Sequence, residues 1–382
     1  MARGHAKWKK AFDLKPALGA GMAWLEVNAP AVTKGLRYHS LQAPVPPSYV
    51  IEDLKRPFLF HTQPYQQSYH QLRSNNVDGN NPNHQGGDIR LVSAICPSVL
   101  IHGHFMQPID TQTGHLLALS EGRIPWGLTY PFPTLKPIEK INGFVAAIPP
   151  INNYYHVLVD YLLPVVSAIL RHPAMFNKPI TFLVNRPSII TEFMSTLLRD
   201  AGFNTHVQYI AGSQTLVAEH YIFAKASAPS TEHGYAFYPE LKMLDPLIAA
   251  YTDNIDVPES LVIQRTKTRL RNVLNQDQMI SMLSARKFTP VVFDWSNLLF
   301  QIACFRKAKK IISVHGAALT NLCWGTGHSV LEIFPDNARK TTYLHIASQN
   351  GWRYQPAFGL AEQSNQDFSV DMNEIEAALD AF

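Results

Sequence analysis

Residues 309–335 read KKIISVHGAALTNLCWGTGHSVLEIFP, and how that stretch is divided decides the fold. The apolar run ending at Val314 reads as a buried strand, and SVLEIF (329–334) reads as the next one. An ordinary turn between them would carry Asn-Gly, Asp-Gly or Pro. Instead His315 is followed by three small residues, Gly316, Ala317 and Ala318, and Leu319 to Trp324 can form a short helix. A strand, a small-residue turn and a helix start leave backbone N–H groups pointing at one place, which suits an anion. A close-packed crossover turn with His315 as a satisfied polar residue is the plainer alternative.

Outward from this stretch the same alternation repeats. SLVIQR (260–265), a helix in NQDQMISMLSAR (275–286), PVVFD (290–294), a helix in NLLFQIACFRKA (297–308) and KKIISV (309–314) make one α/β series. Upstream, GFVAAIP (143–149), a helical run over 153–170, ITFLV (180–184), a helix over 189–202, then HVQYI and LVAEHYIFA make another. The polar stretch YTDNIDVPES (251–260) separates them. The expectation is an α/β protein of two Rossmann-like lobes facing a cleft, with ligands at the carboxyl ends of the strands. The first lobe takes in residues 1–250 with an irregular N-terminal extension. The second takes in 251–382, its last helix packing back on the first. SNNVDGNNPNHQGG (74–87) reads as an exposed loop.

Composition narrows the function classes. A chain of 382 residues, 46% hydrophobic and 16% charged, is globular rather than disordered or fibrous. A net charge of +4 admits a phosphate-bearing ligand without requiring one and gives no reason to expect nucleic acid. Cys96, Cys304 and Cys323 have no CxxC spacing, so they read as buried thiols. No window approaches the ~20 apolar residues of a membrane span, so no integral membrane segment and a cytoplasmic location are expected. No GxGxxG follows a candidate strand, which argues against a dinucleotide-dependent oxidoreductase.

Three constellations carry chemistry. QRTKTRLRNVLNQDQ (264–278) places Arg265 at a strand's carboxyl end, with Lys267, Arg269 and Arg271 close behind. Guanidinium groups there suit bidentate phosphate binding, though a solvated basic loop would look the same. Asn275 and Gln278 have capping-box spacing. Glu332 stands inside an apolar strand, and a buried carboxylate needs partners; a ligand hydroxyl or a structural ion pair would serve. In NNYYHVLVDYLLP (152–164), a cap at Asn153 puts His156 in the first turn, with Asp160 four residues on along the same face. Pro164 removes the N–H that the Asp160 carbonyl would bond, so the helix should bend. A His and an Asp so placed are general-base candidates, a structural pair being the alternative. HGH (102–104) has no Cys or carboxylate at ligand spacing and reads as structural or surface.

In order and spacing these segments resemble glycosyltransferase family 61. HGAALTN (315–321) is similar to its His-Gly-Ala-Gly-Leu-Thr-Asn, and VLEIFP (330–335) to its Val-Ile-Glu-Leu-Phe-Pro. RNVLNQDQ (271–278) resembles its Arg-Arg-Ile-Leu-Asn-Glu-Asp-Glu, and NYYHVLVDYLLP (153–164) its Asn-Tyr-Tyr-His-Trp-Leu-Leu-Asp. The resemblance covers about 140–356.

It implies a GT-B fold and an inverting transferase that uses a nucleotide sugar, UDP-linked, without a bound metal or other cofactor. The acceptor would be a glycan or lipid-linked hydroxyl in surface or capsular polysaccharide synthesis, which would place the protein at the membrane periphery. On that reading His315, Gly316, Ala317, Ala318, Leu319, Thr320 and Asn321 wrap the pyrophosphate. Glu332 takes the ribose hydroxyls, Arg265 and Arg271 neutralise the phosphates, and Asp160 is the base, with His156 second. Three positions depart from the pattern: Ala318 replaces a Gly, Gln276 a Glu and Val157 a Trp. These leave a non-catalytic sugar- or nucleotide-binding protein as the alternative.

Overall fold

The computed structural model of the chain describes residues 42–56, 65–73, 89–103, 106, 108–111, 116–118, 139–212, 214–227, 239–266, 270–362, 366–380 and 382. Much of the N-terminal extension, the 74–87 stretch, His104, Lys267 and Arg269 lie outside them. Among the described residues the strands form a nine-stranded and a six-stranded sheet.

The first sheet contains β1 (Gln42–Pro44), β2 (Val50–Arg56), β3 (Ile89–His102), β4 (Pro108–Asp110), β5 (Leu116–Ala118), β6 (Glu139–Ile148), β7 (Ile180–Val184), β8 (Thr205–Tyr209) and β9 (Thr215–Ser227). Its order is β1-β5-β4-β3-β9-β6-β7-β8, with β2 also paired to β3. The block β9-β6-β7-β8 is parallel, as the strand–helix alternation predicts, but β3 runs antiparallel to β9 along its length.

This lobe is not the doubly wound unit that the alternation suggests. Phe144, Ala146 and Ile148 of β6 face one core with the helices Leu163–Arg171 and Ile189–Asp200. Val145 and Ala147 face a second core with Val99, Met106 and Leu117 from the antiparallel strands and their loops. A strand buried on both faces reads as one apolar run whatever covers the second face, so GFVAAI could not announce the difference.

The second sheet contains β10 (Ser260–Gln264), β11 (Thr289–Val292), β12 (Lys310–Val314), β13 (Ser329–Pro335), β14 (Arg353–Ala361) and β15 (Phe368–Ser369). Its order is β11-β10-β12-β13-β14-β15, parallel throughout except for β15. This sheet is doubly wound. Ile311, Val330 and Phe334 face a core shared with helices Leu298–Lys307 and Thr342–Gln349. Val262, Ile312, Leu331 and Ile333 face a core shared with Gln276–Ala285 and the last helix, Met372–Asp380. Counted from β10 the order is 2-1-3-4-5, so the winding direction reverses between β10 and β12, and the crevice at their carboxyl ends is the switch point.

Two local expectations change. The last helix packs on its own sheet through Ile375, Ala378 and Leu379, and Arg286 pairs with Glu376 and Asp380. Its apolar residues fit the face beside Gln276–Ala285. The crossing element is instead helix Gln66–Arg73: Ser68 Oγ donates to Tyr354 O at 3.0 Å, and Gln71 O accepts from Arg339 Nη1 at 3.0 Å. Asn275 starts its helix without a side-chain cap. Its amide is spent clamping Val370, donating to its carbonyl at 2.8 Å and accepting from its N–H at 3.0 Å.

Candidate functional site

At the switch point Arg265, one residue past β10, reaches across to β12. Its Nη1 donates to His315 O at 2.9 Å and its Nη2 to Leu270 O at 3.2 Å. A Cβ on Gly316 would stand 3.2 Å from that Nη1, so the close approach explains a glycine here. Arg271 sits at φ 59, in the left-handed region, and its Nε is buried with no hydrogen-bond partner among the described residues. Holding a non-glycine residue there costs on the order of 1–3 kcal/mol, and such strain concentrates at ligand sites. Burial pulls the Arg265 guanidinium down to about 10, with Arg271 adding to the shift, so it stays charged at neutral pH.

His315 is buried beneath these cations. Its Nδ1 lies 2.5 Å from Glu332 Oε1, and Tyr354 OH donates to Glu332 Oε2 at 2.5 Å. Burial holds the imidazole well below its ordinary range, and the charges of Arg271, Lys340 and Arg265 push the same way. Burial also raises the Glu332 carboxyl well above its ordinary range, against the pull of Tyr354 and Arg271. Both groups are therefore driven toward neutral forms and share a proton between them. Glu332 is fully buried with both oxygens engaged, so it braces His315 from below.

The turn after His315 divides in two. Gly316, Ala317 and Ala318 are half-buried, whereas Leu319, Thr320 and Asn321 are fully buried. The short helix exists as a 3-10 turn over Ala317–Trp324. Asn321 is a brace between the lobes: its Oδ1 accepts from Tyr154 OH at 2.8 Å, and its Nδ2 donates to Ala318 O at 3.0 Å. Trp324 Nε1 reaches the same Tyr154 hydroxyl at 3.3 Å. Of the seven-residue motif, Gly316, Ala317 and Ala318 are the part that is not fully buried.

On the first lobe Asn153 caps its helix as expected, its Oδ1 accepting from Tyr155 N at 3.0 Å. The bend takes a specific form. Residues His156–Leu162 are π-helical, and the Leu163 N–H bonds Leu158 O. With no N–H on Pro164, the chain widens by one residue per turn and then resumes as an α-helix. The widened turn presents His156 Nδ1 to Asp160 Oδ2 at 2.8 Å, both side chains about 15% exposed. The contact suits the tautomer in which Nδ1–H donates to the carboxylate and the lone pair lies on Nε2. Burial lowers the Lys225 ammonium, and the Asp160 carboxylate opposes that shift.

A row of rings links the two motifs: His156 to Tyr155 at 5.4 Å, Tyr155 to Tyr343 at 5.9 Å, and Tyr343 to His315 at 5.1 Å. The fold thus brings together segments more than 150 residues apart in the chain. Lys225, Lys340 and Tyr354 were not singled out in the sequence. Lys225 had a signal, being a charge that follows the apolar run YIFA within its strand. Tyr354 had none, because only strand pairing puts it beside β13.

Among the described residues no group of three or more His, Cys, Asp or Glu is arranged to hold a metal. No helix among them is long and apolar enough to cross a membrane. Compared with known families, residues 154–332 match the model described as Glycosyltransferase 61. That span opens on Tyr154 and closes on Glu332, the outer members of the two linked constellations. No curated protein matches the chain.

Proposed function

We propose, from the match of residues 154–332 to the Glycosyltransferase 61 model, an inverting transfer of a sugar from a UDP-linked donor to a hydroxyl of a glycan or lipid-linked acceptor. The observation that carries the reading is the convergence of Arg265, Arg271 and Lys340 on His315 at the switch point of a doubly wound sheet. Arg265 and Arg271, partly desolvated there with the exposed Lys340 beside them, are matched to a diphosphate.

In the reaction the acceptor oxygen attacks the anomeric carbon while the bond to the diphosphate breaks. The acceptor proton goes to His156 Nε2, and the leaving charge is taken up by Arg265, Arg271 and Lys340 in place of a metal. His156 is a better base than Asp160 because the carboxylate is already committed to Nδ1. Asp160 fixes the tautomer, the division of labour that makes a His–Asp pair effective.

The test is thermal melting with UDP. A ligand at ~100 times its dissociation constant adds ~2.7 kcal/mol, so a clear upward shift is expected in EDTA. A shift that appears only with Mn or Mg would sink the metal-free part. Arg265→Ala should cost on the order of 1.5–3 kcal/mol of UDP affinity, or roughly 10- to 150-fold. Unchanged affinity would remove Arg265 from the site.

A further inference from the structure

Tyr343 stands in the first turn of the helix Thr342–Gln349, beyond the residues that match the family model. Its buried ring touches both constellations. It lies 5.1 Å from the His315 ring and 5.9 Å from the Tyr155 ring, meeting Tyr155 edge to face at 89°. Tyr155 meets the ring of the next residue, His156, at 84°. Burial and the Glu332 charge hold the Tyr343 hydroxyl above its ordinary range, so it keeps its proton.

The His156–Asp160 bond is internal to the widened turn. It sets how the imidazole is protonated, but not which way the whole turn faces. That direction is fixed where the chain leading into the turn meets the second lobe. Two contacts of this kind are made in consecutive residues: Tyr154 OH on Asn321 Oδ1 at 2.8 Å, and the Tyr155 ring on Tyr343. A turn held at one point can swing about it, whereas two points fix it. We propose that Tyr343 is a positioning residue of the transfer, the stop against which Tyr155 sets the direction of His156. The inference rests on the glycosyltransferase reading and adds to it a residue that acts through another rather than on the substrate. A ring suits the task, because edge-to-face pairs prefer a defined geometry that an aliphatic side chain does not impose. On this reading neighbouring tyrosines divide the work, Tyr154 acting through its hydroxyl and Tyr155 through its ring.

Tyr343→Leu removes the ring, and Tyr343→Phe removes only the hydroxyl. Each variant of the whole chain is measured for its UDP melting shift and for release of UDP from a panel of UDP-sugars. Nitrogen NMR of histidine-labelled protein adds the His156 ring signals, assigned with His156→Ala. Tyr343→Leu should lower turnover about 100-fold, the cost of a small misplacement at a reacting group. It should leave UDP affinity unchanged and move the His156 signals. Tyr343→Phe should restore both turnover and signals, which a role for the hydroxyl would not allow. Undiminished turnover in Tyr343→Leu, an equal loss in Tyr343→Phe, UDP affinity that falls in step with turnover, or unmoved His156 signals would each overturn the assignment. Tyr155→Leu removes the same contact from the other ring, and it decides the matter by the same measures should Tyr343→Leu fail to fold. The double variant should lose no more than the worse single one, and additive losses would show that the two rings act independently. The transferase reading fails separately: if the unmodified protein turns over no UDP-sugar, that reading falls, and the His156 signals alone decide whether Tyr343 orients the ring.

Discussion

At the scale of single residues, His156 and Asp160 have the geometry of a base and its orienting carboxylate, 2.8 Å apart. Removing the imidazole in His156→Ala should lower transfer ~100- to 10,000-fold, the usual range for a general base. Asp160→Asn keeps the shape but offers an N–H to Nδ1, which turns the ring toward the wrong tautomer, so a comparable loss is expected. UDP-induced melting shifts should survive in both, because both residues stand on the first sheet's helix rather than in the cation cluster. Near-normal transfer by His156→Ala would return the base to Asp160 or move it elsewhere.

The His315–Glu332 pair makes a separate prediction, about pH. Folded, the pair retains one proton between groups driven toward their neutral forms. Unfolded, the ordinary values of 6.5 and 4.5 apply. Between them both states hold one proton, and the pair adds no slope. Above 6.5 the unfolded chain holds none while the folded pair still holds one, so stability falls as pH rises. Below 4.5 the unfolded chain holds two, so stability falls as pH drops. The limiting slope is about 1.4 kcal/mol per pH unit. Glu332→Gln has no carboxyl proton to lose above 6.5, so its stability deficit should shrink between pH 7 and 8.5 in urea titrations. A deficit constant across that range would show that Glu332 is ionised in the folded protein.

At the scale of elements, the segment His156–Leu162 shows how a proline acts without breaking a helix. Pro164→Ala restores an N–H and permits ordinary α-helical winding, so stability should hold or rise. His156 would rotate with the turn, and a displacement of ~1 Å at a reacting group can cost ~100-fold in rate. Circular dichroism and transfer rates on the same samples check both halves. Full activity in Pro164→Ala would detach the widened turn from catalysis.

Elements also show where sequence was informative. The strands Ile180–Val184 and Ser260–Gln264 and the helices beginning at Ile189 and Leu298 follow the apolar periodicity within a residue or two. Pro164 likewise marks an irregular turn, because a missing N–H is written in the residue itself, but the π-helical form of that turn was not legible. The parallel pairing of the second sheet was implicit in its alternation, but its strand order was not. The antiparallel strand Ile89–His102 went unread because its partner, β9, lies more than 100 residues away and no local signal names it. The same reason hid Glu332's partners: an acid in an apolar strand announces that something must satisfy it, and only the fold says that His315 and Tyr354 do.

At the scale of the whole molecule, the two sheets share one core. Phe144 and Leu158 from the first lobe and Ile311 and Trp324 from the second belong to a single contiguous apolar cluster. Lobes joined only by a linker would melt separately, but a shared core ties their unfolding together. A single calorimetric transition is therefore expected. The link is polar as well as apolar, since Tyr154 OH donates to Asn321 Oδ1 and lies 3.3 Å from Trp324 Nε1. Tyr154→Phe keeps the ring and deletes that hydroxyl, leaving Asn321 Oδ1 buried without its donor. The cost should be about 1–3 kcal/mol, several degrees of melting temperature for a protein of this size. Asn321→Ala should cost less in that background than alone, because the Tyr154 bond is already gone and only the Asn321 Nδ2 bonds remain to be lost. Transfer should fall along with stability, since Tyr155 and His156 follow directly on Tyr154 and are held against Tyr343 by the same junction. Two resolved transitions in the unmodified protein, or a Tyr154→Phe variant as stable as its parent, would mean that the lobes are coupled far more loosely than their shared core requires.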